Sequence, residues 1–328
     1  MTMNPRKALV ADIGGTNSRF AIADVDALTI EHFATFPSSL FSSLQAVVER
    51  YMASIPHHPI LACFAVAASV STETMRMTNL PWTFTRDELR SACGARHLHL
   101  VNDFEALALA LPWLTPHDLH GIGGGNLAGR GTKVVLGPGT GLGVAGLAEA
   151  ASGWIALPGE GGHISFAVRN ADELSILDRI SEGAAHVSAE RMISGPGLTA
   201  LYRALAEMKG KAVEERAAAG ITKAALVHED PIAEEALELF VGWLGRFAGD
   251  MALAFGARGG VYLGGGIAPR IIEALETGSF RAAFEAKGRL SSFLKTVPVH
   301  VIKAADAGLR GAAIALSEAV PAVASGHG

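Results

Sequence analysis

At 328 residues with 49% hydrophobic side chains, the chain exceeds what one hydrophobic core usually serves, so two domains with a cleft between them are expected. Its 27 Lys and Arg against 32 Asp and Glu give a net charge of −5 without a basic run, which excludes a nucleic-acid footprint. The two cysteines, Cys63 in an apolar run and Cys93 near a helix end, fit a reduced cytoplasmic protein without disulfides or a cysteine metal site. No membrane span is expected, because the longest apolar stretch, Ile60 to Val70, is about half the required length. The apolar residues between Lys7 and Asp12 are too few for a signal peptide. Glycine, at 38 residues, is well above its usual share of roughly 7%, so several glycine-rich loops must exist.

The first predicted strand, Ala8 to Ala11, reaches Asp12, and Gly14-Gly15 then turns the backbone before apolar residues resume with a period of two. This is a hairpin whose tip carries chemistry. Gly14 and Gly15 are free to take positive φ and bring bare N–H groups to an anion, Thr16 and Asn17 add side-chain donors, and Asp12 suits a hydrated cation. An ordinary Gly-Gly hairpin is the alternative on this stretch alone. Thr29 to Phe36 reads as a third strand, and Leu40 to Met52 as a helix through Leu44, Val47, Val48 and Tyr51. After Pro56 and Pro59, Ile60 to Ser69 reads as a strand buried on both faces. Thr85 with Glu88 forms a capping box for a short helix closed by Gly94. The strand Leu98 to Val101 ends in Asn102-Asp103, and a helix from Ala106 to Leu111 stops at Pro112. The alternation is that of an α/β protein.

Thr115 to Gly131, with the run Gly121 to Asn126, has no periodicity and reads as an exposed loop near a domain junction. A strand from Lys133 to Leu136 leads into Gly137-Pro138-Gly139-Thr140-Gly141-Leu142-Gly143, and Val144 to Ala148 resumes an apolar run. Leu157 to His163 is turn-rich and carries Glu160 and His163. Leu174 to Ile180 and Leu198 to Met208 read as helices, the second after a breaker, Ser194-Gly195-Pro196-Gly197. A longer helix starts with Asp230 as N-cap and Pro231 at its first position and runs towards Phe255. Gly260 to Leu263 is a strand into Gly264-Gly265-Gly266, Val297 to Ile302 a last strand, and Gly308 to Val320 an Ala-rich helix. The two strand-glycine-strand tips hint at an internal duplication.

Glycine turns leaving strand ends present N–H groups to phosphate oxygens and can clamp a nucleotide without a lysine. Gly141, Gly143 and Gly146 also satisfy G-x-G-x-x-G, the mark of a dehydrogenase, but a strand and a Gly-Trp turn follow where that motif needs a long helix. Taken alone, Asn102-Asp103 reads as a helix N-cap, Glu160 and His163 as a polar surface turn, and Glu190 as an exposed helix charge. His57, His58, His97, His99 and His120 have no spacing that makes a metal site.

Asp12-Ile13-Gly14-Gly15-Thr16-Asn17, Asn102-Asp103, the Gly137 to Gly143 turn, Leu157-Pro158-Gly159-Glu160-Gly161-Gly162-His163 and His186-Val187-Ser188-Ala189-Glu190-Arg191 together resemble bacterial ATP-dependent glucokinases, over nearly the whole chain and in the family's order. The resemblance implies the actin-like ATPase, ribonuclease H-like fold of the hexokinase superfamily, with two α/β domains flanking a cleft. A small domain over 1–113 with about 306–328 and a large one over about 114–305 are expected. By the resemblance, Asp12, Gly14, Gly15, Thr16 and Asn17 and then Gly137, Gly139, Thr140 and Gly141 serve the phosphates, while Gly264, Gly265 and Gly266 lie by the adenosine. Asp103 is the implied catalytic base, and Asn102, Asp103, Glu160, His163 and Glu190 hold the sugar hydroxyls. Thr78-Asn79, before Pro81-Trp82, is a further loop read as bordering the sugar or as simple turn chemistry. The zinc-containing branch carries a cysteine cluster after the histidine; this chain has none, so zinc is not expected.

The expected activity is a cytoplasmic glucokinase moving the γ-phosphoryl of ATP to the 6-hydroxyl of glucose, at the entry to glycolysis. Mg2+ is expected to arrive with ATP and lie near Asp12, without a direct protein ligand. The partners are glucose and ATP, and a homodimer is the expected assembly. A sugar-binding regulator without catalysis, or a kinase for another hexose, are the alternatives.

Overall fold

In the computed structural model the described residues are 6–56, 58–125 and 130–320, so His57, Asn126 and the end of the last expected segment lie outside them. They form two compact units, Met1–Leu114 with Ala304–Gly328, and Thr115–Lys303.

In chain order, β1 (Lys7–Ile13) and β2 (Asn17–Asp24) pair antiparallel with Ile13 opposite Ser18, which leaves 14–17 as the tip, and β3 (Thr29–Pro37) extends the meander. The first helix, α1 (Leu44–Met52), starts later than its spacing predicts, because the Ser43 hydroxyl accepts the Ala46 N–H at 3.2 Å and so caps it there. The apolar run after Pro59 becomes β4 (Leu61–Val66), followed by a small hairpin of β5 (Thr74–Arg76) and β6 (Thr83–Thr85). Trp82 in that hairpin is buried and its indole N–H donates to the Phe41 carbonyl at 3.3 Å, so it anchors core. The Thr85–Glu88 capping box opens α2 (Arg86–Cys93), and Gly94 closes it in the left-handed conformation at φ 68°. Then β7 (His97–Asn102) passes directly into α3 (Asp103–Ala110), which begins earlier than predicted because the Asn102 side chain caps it.

The stretch from Thr115 is not an exposed loop throughout. It contains β8 (Leu119–Gly121), an edge strand paired with a strand near the C-terminus, and Leu119 and Ile122 are buried. Three residues are too few to show a period, and the pairing is tertiary. A second meander follows: β9 (Lys133–Pro138), β10 (Leu142–Ala150) and β11 (Gly153–Gly159), the last of which takes up residues that read as turns. The helices α4 (Ala171–Ser181) and α5 (Ala189–Met192) lead to α6 (Gly195–Met208). Ser194-Gly195-Pro196-Gly197 therefore starts α6 rather than breaking the chain: Ser194 accepts the Gly197 N–H at 3.1 Å, and Pro196 sits in the first turn, where no N–H is needed. After α7 (Ala218–Leu226) comes α8 (Pro231–Phe255), whose Asp230 cap accepts N–H groups of Ile232 and Ala233. Next come β12 (Val261–Leu263), α9 (Ile272–Glu276), α10 (Ser279–Glu285), α11 (Ser291–Thr296), β13 (Val299–Ile302) and α12 (Ala307–Ala319).

The two main sheets run in the orders β3-β2-β1-β4-β7 and β11-β10-β9-β12-β13-β8. Each has an antiparallel meander of three strands, and then two strands parallel to the first of the meander. One topology is thus used twice, as the repeated glycine tips suggested. One core gathers Leu9, Phe20, Tyr51 and Phe64, with the Phe20 and Tyr51 rings stacked at 5.0 Å; the other packs Phe240 and Leu244 of α8 under Val134, Leu136, Val261 and Leu263.

Candidate active site

In the first unit the parallel strands β1, β4 and β7 end on the same edge of the sheet. Ile13 lies opposite Val66 and Val66 opposite Asn102, so the Gly14–Asn17 tip and Asn102-Asp103 are two strand spacings apart, about 10 Å. Open α/β sheets bind ligands at this carboxyl edge. Asn102 spends its side-chain oxygen on the N–H groups of Phe104, at 2.9 Å, and Glu105, at 3.3 Å. Asn102 is therefore the N-cap of α3. Asp103 follows at the first helical position, where the macrodipole favours a carboxylate, and one oxygen accepts the Phe104 N–H at 3.0 Å.

Asp12, one residue before the end of β1, lies beside Arg19, its cross-strand partner, whose Nη1 donates at 3.0 Å. Burial pushes the Asp12 carboxyl above its ordinary range, and the Arg19 charge and hydrogen bond oppose that push. The first turn of α12 rests on the same carboxylate: a Cβ on Gly308 would lie 2.9 Å from Asp12 Oδ2, and a Cβ on Gly311 would lie 1.8 Å from the Ala106 carbonyl of α3. One helix thus packs against both the β1 carboxylate and the helix that carries Asp103. Arg19, Gly308 and Gly311 belong to none of the glycine-turn or sugar motifs. The Gly-x-x-Gly spacing in an Ala-rich helix was the available signal, since three residues apart means one face.

In the second unit the Gly137–Gly141 and Gly264–Gly266 turns leave neighbouring parallel strands and lie against each other. A Cβ on Gly137 would lie 2.4 Å from the Gly264 carbonyl carbon, and one on Gly265, at φ 75°, 2.6 Å from the Pro138 oxygen. Backbone packing therefore requires these two glycines. Gly14 and Gly139 differ: their added Cβ atoms would meet nothing closer than 3.4 Å and 3.8 Å respectively, and packing leaves both glycines unexplained. The positive φ expected at Gly14 and Gly15 is not what distinguishes the tip; of the three turns, Gly265 has that conformation.

Glu190 and the backbone of the Glu160–His163 turn meet at Leu142, the first residue of β10. Glu190 Oε2 accepts the Leu142 N–H at 2.8 Å, and the Glu160–His163 turn seats Gly162 so tightly on the Leu142 carbonyl that a Cβ would come within 1.9 Å. His186 joins its ring Nε2 to the His163 carbonyl at 2.9 Å, and the Ala189 N–H donates to the Ile164 carbonyl at 2.8 Å, fastening the two segments together. The Gly195 N–H, at the start of α6, donates to the Gly139 carbonyl at 2.8 Å. The second glycine turn, Glu160, His163 and Glu190 thus form one hydrogen-bonded assembly within the unit. Thr78 belongs to the first unit, where its N–H and hydroxyl both donate to the Ala67 carbonyl. His120 pairs with Glu276 at 2.7 Å. Gly141, Gly143 and Gly146 sit at the tip and along β10, not at a helix start, and Gly146 packs on the Phe255 ring, so the dinucleotide reading is overturned.

The glucokinase family model matches residues 9–319. A glucokinase of Caulobacter sp. (strain K31) is 42% identical over 312 residues, covering 94% of this chain and 94% of that protein. The chain belongs to the glucokinase family. A glucokinase of Tolumonas auensis is 39% identical over 305 residues, covering 93% and 95%. A crystal structure of a glucokinase from an Antarctic psychrotroph, 38% identical, superposes with a TM-score of 0.80 over 96% of this chain and 100% of that one. The fold is the actin-like ATPase fold, and membership of the glucokinase family makes the chain an ATP-dependent hexose kinase. Among the described residues, no helix is long and apolar enough to cross a membrane.

Proposed function

We propose that the chain transfers the γ-phosphoryl of Mg-ATP to the 6-hydroxyl of glucose, releasing ADP and glucose 6-phosphate, through the residues described for the site. The observation that carries this reading is that Glu190 holds the Leu142 N–H while the turn bearing Glu160 and His163 seats its Gly162 on the Leu142 carbonyl, where the Gly137–Gly141 turn enters β10. Hydroxyl recognition needs groups that accept or donate in fixed directions, and Glu160, His163 and Glu190 supply them beside a turn suited to phosphate. Asp103 accepts the proton of the 6-hydroxyl as that oxygen bonds to the γ-phosphorus and the bond to the β-phosphate oxygen breaks. Asn102 caps the helix that carries this base and completes the sugar contacts.

Gly14, Gly15, Thr16 and Asn17 and the Gly139–Gly141 turn receive the phosphates; unforced glycine at Gly14 and Gly139 supports this, because a side chain there would stand between N–H groups and oxygen. Gly264 to Gly266 lie by the adenosine. Mg2+ comes with ATP, and Asp12, held by Arg19 and the α12 start, would hold its hydration shell. The setting is the cytoplasm at the entry to glycolysis, and the assembly a homodimer. Incubating the protein with Mg-ATP and a panel of hexoses, and measuring the hexose 6-phosphate formed, tests the reading. Glucose is expected to give the highest kcat/KM; preference for another hexose, or no product, overturns it.

A further inference from the structure

Glu190 has two oxygens in different circumstances. Oε2 holds the Leu142 N–H at 2.8 Å, where the Gly137–Gly141 turn enters β10, while Oε1 accepts no hydrogen bond among the described residues. Its short helix is itself fixed: Ser188 accepts the Arg191 N–H at 3.2 Å, and the Ala189 N–H is bound to the Ile164 carbonyl just past His163. By contrast, the Glu160 side chain is 76% exposed, and its closest charged partner is the neighbouring His163 at 3.9 Å. One carboxylate is tied to the turn and the other is not.

We propose that Glu190 is a positioning residue for the second phosphate turn as well as a sugar contact, so that one side chain couples the binding of glucose and ATP. This rests on the glucose kinase reading. A free glutamate side chain would lose its rotamer freedom on meeting a hydroxyl; the Leu142 N–H has already removed that freedom, so the sugar meets a fixed acceptor at Oε1. The converse follows by linkage: a sugar hydroxyl on Oε1 holds the carboxylate that holds the turn, and each substrate tightens the other by the same factor. Couplings of this kind usually lie between about 5-fold and 150-fold. The effect needs no hinge, since the carboxylate spans both sites.

Calorimetric titration with the magnesium complex of a non-hydrolysable ATP analogue, with and without saturating glucose, tests the proposal on the wild type, Glu190→Ala, Glu190→Gln and Glu160→Ala. Without sugar, Glu190→Ala is expected to bind the analogue about 5-fold more weakly than wild type, whereas Glu160→Ala binds it normally although its glucose affinity falls. Glu190→Gln, whose amide oxygen can still accept the Leu142 N–H, is expected to recover the analogue affinity. Unchanged affinity in Glu190→Ala, or an equal loss in Glu160→Ala, overturns the proposal; so does failure of Gln to rescue. The wild-type glucose titration reports separately on the kinase reading, so the two failures are told apart.

Discussion

At the scale of single residues, the glycines divide by what their missing side chain is for. Gly162 is required by packing, because a Cβ would fall 1.9 Å from the Leu142 oxygen. Gly162→Ala is expected to destabilise the protein by about 1–3 kcal/mol, as overpacking does, and to disturb glucose kinetics with it; thermal melting beside a glucose titration checks this. Gly139 is not so required, with its Cβ position 3.8 Å from the Gly266 nitrogen. Gly139→Val is expected to melt near the wild-type temperature yet raise the KM for ATP much more than that for glucose, and a normal KM for ATP would make the turn structural only. Both glycines were visible in the sequence as members of motifs, but their different duties were not, since the 1.9 Å contact of Gly162 is set by Leu142, a residue outside its own turn. Asp12 was legible for the same reason that Gly308 was not: a carboxylate before two glycines has a local pattern, whereas a glycine under it comes from the other end of the chain.

At the scale of elements, local chemistry was read well where it was local. The Thr85–Glu88 box, the Gly94 closure and the Asp230-Pro231 start of α8 all stand as their residue types predict. Asp230 does more than cap: it also accepts the Tyr202 hydroxyl at 2.6 Å. Burial alone would push its carboxyl up, but Tyr202, the Ala233 and Ile232 N–H groups and Arg216 together hold it below the ordinary value. A lowered folded pKa contributes stability above the unfolded pKa of about 3.9 that is lost as pH falls through the folded one. Asp230→Ala is therefore expected to lose about 1–2 kcal/mol near neutral pH and progressively less below pH ~4, measured by denaturant titration at both pH values. Glu173 shows what sequence could not give. At the start of α4 it accepts Arg246 Nη1 at 3.1 Å, the Trp243 indole N–H at 3.1 Å and the Arg169 N–H at 2.8 Å, with Arg246 6% exposed. Arg246 and Trp243 lie on α8, some seventy residues away. Glu173→Ala leaves Arg246 buried without its counter-charge and is expected to cost about 3–5 kcal/mol of folding stability, whereas loss below about 1 kcal/mol would mean that water takes the carboxylate's place. The missed elements are β5, β6, β8, β11, α7 and α9 to α11; most are short, and a three-residue strand such as β8 has no period to read.

At the scale of the molecule, one sheet topology recurs in both units, and each repeat carries a glycine tip between the first two strands of its meander. The paired tips made that much visible beforehand. The first unit presents Asp12 and Asp103 at one sheet edge, and the second joins Glu190 and the Glu160–His163 turn to its glycine turn at Leu142. On the proposed reading, phosphoryl transfer needs Asp103 to accept the 6-hydroxyl proton, and Asp103→Asn removes that function while Asn102 still caps α3 and the Asn side chain can still accept the Phe104 N–H. The measurement is kcat for glucose phosphorylation by Asp103→Asn, beside its melting temperature. A fall of about 10²–10⁴-fold with unchanged melting is predicted, equivalent to roughly 2.7–5.4 kcal/mol in the barrier, and retention of more than about a tenth of the wild-type kcat would contradict the assignment.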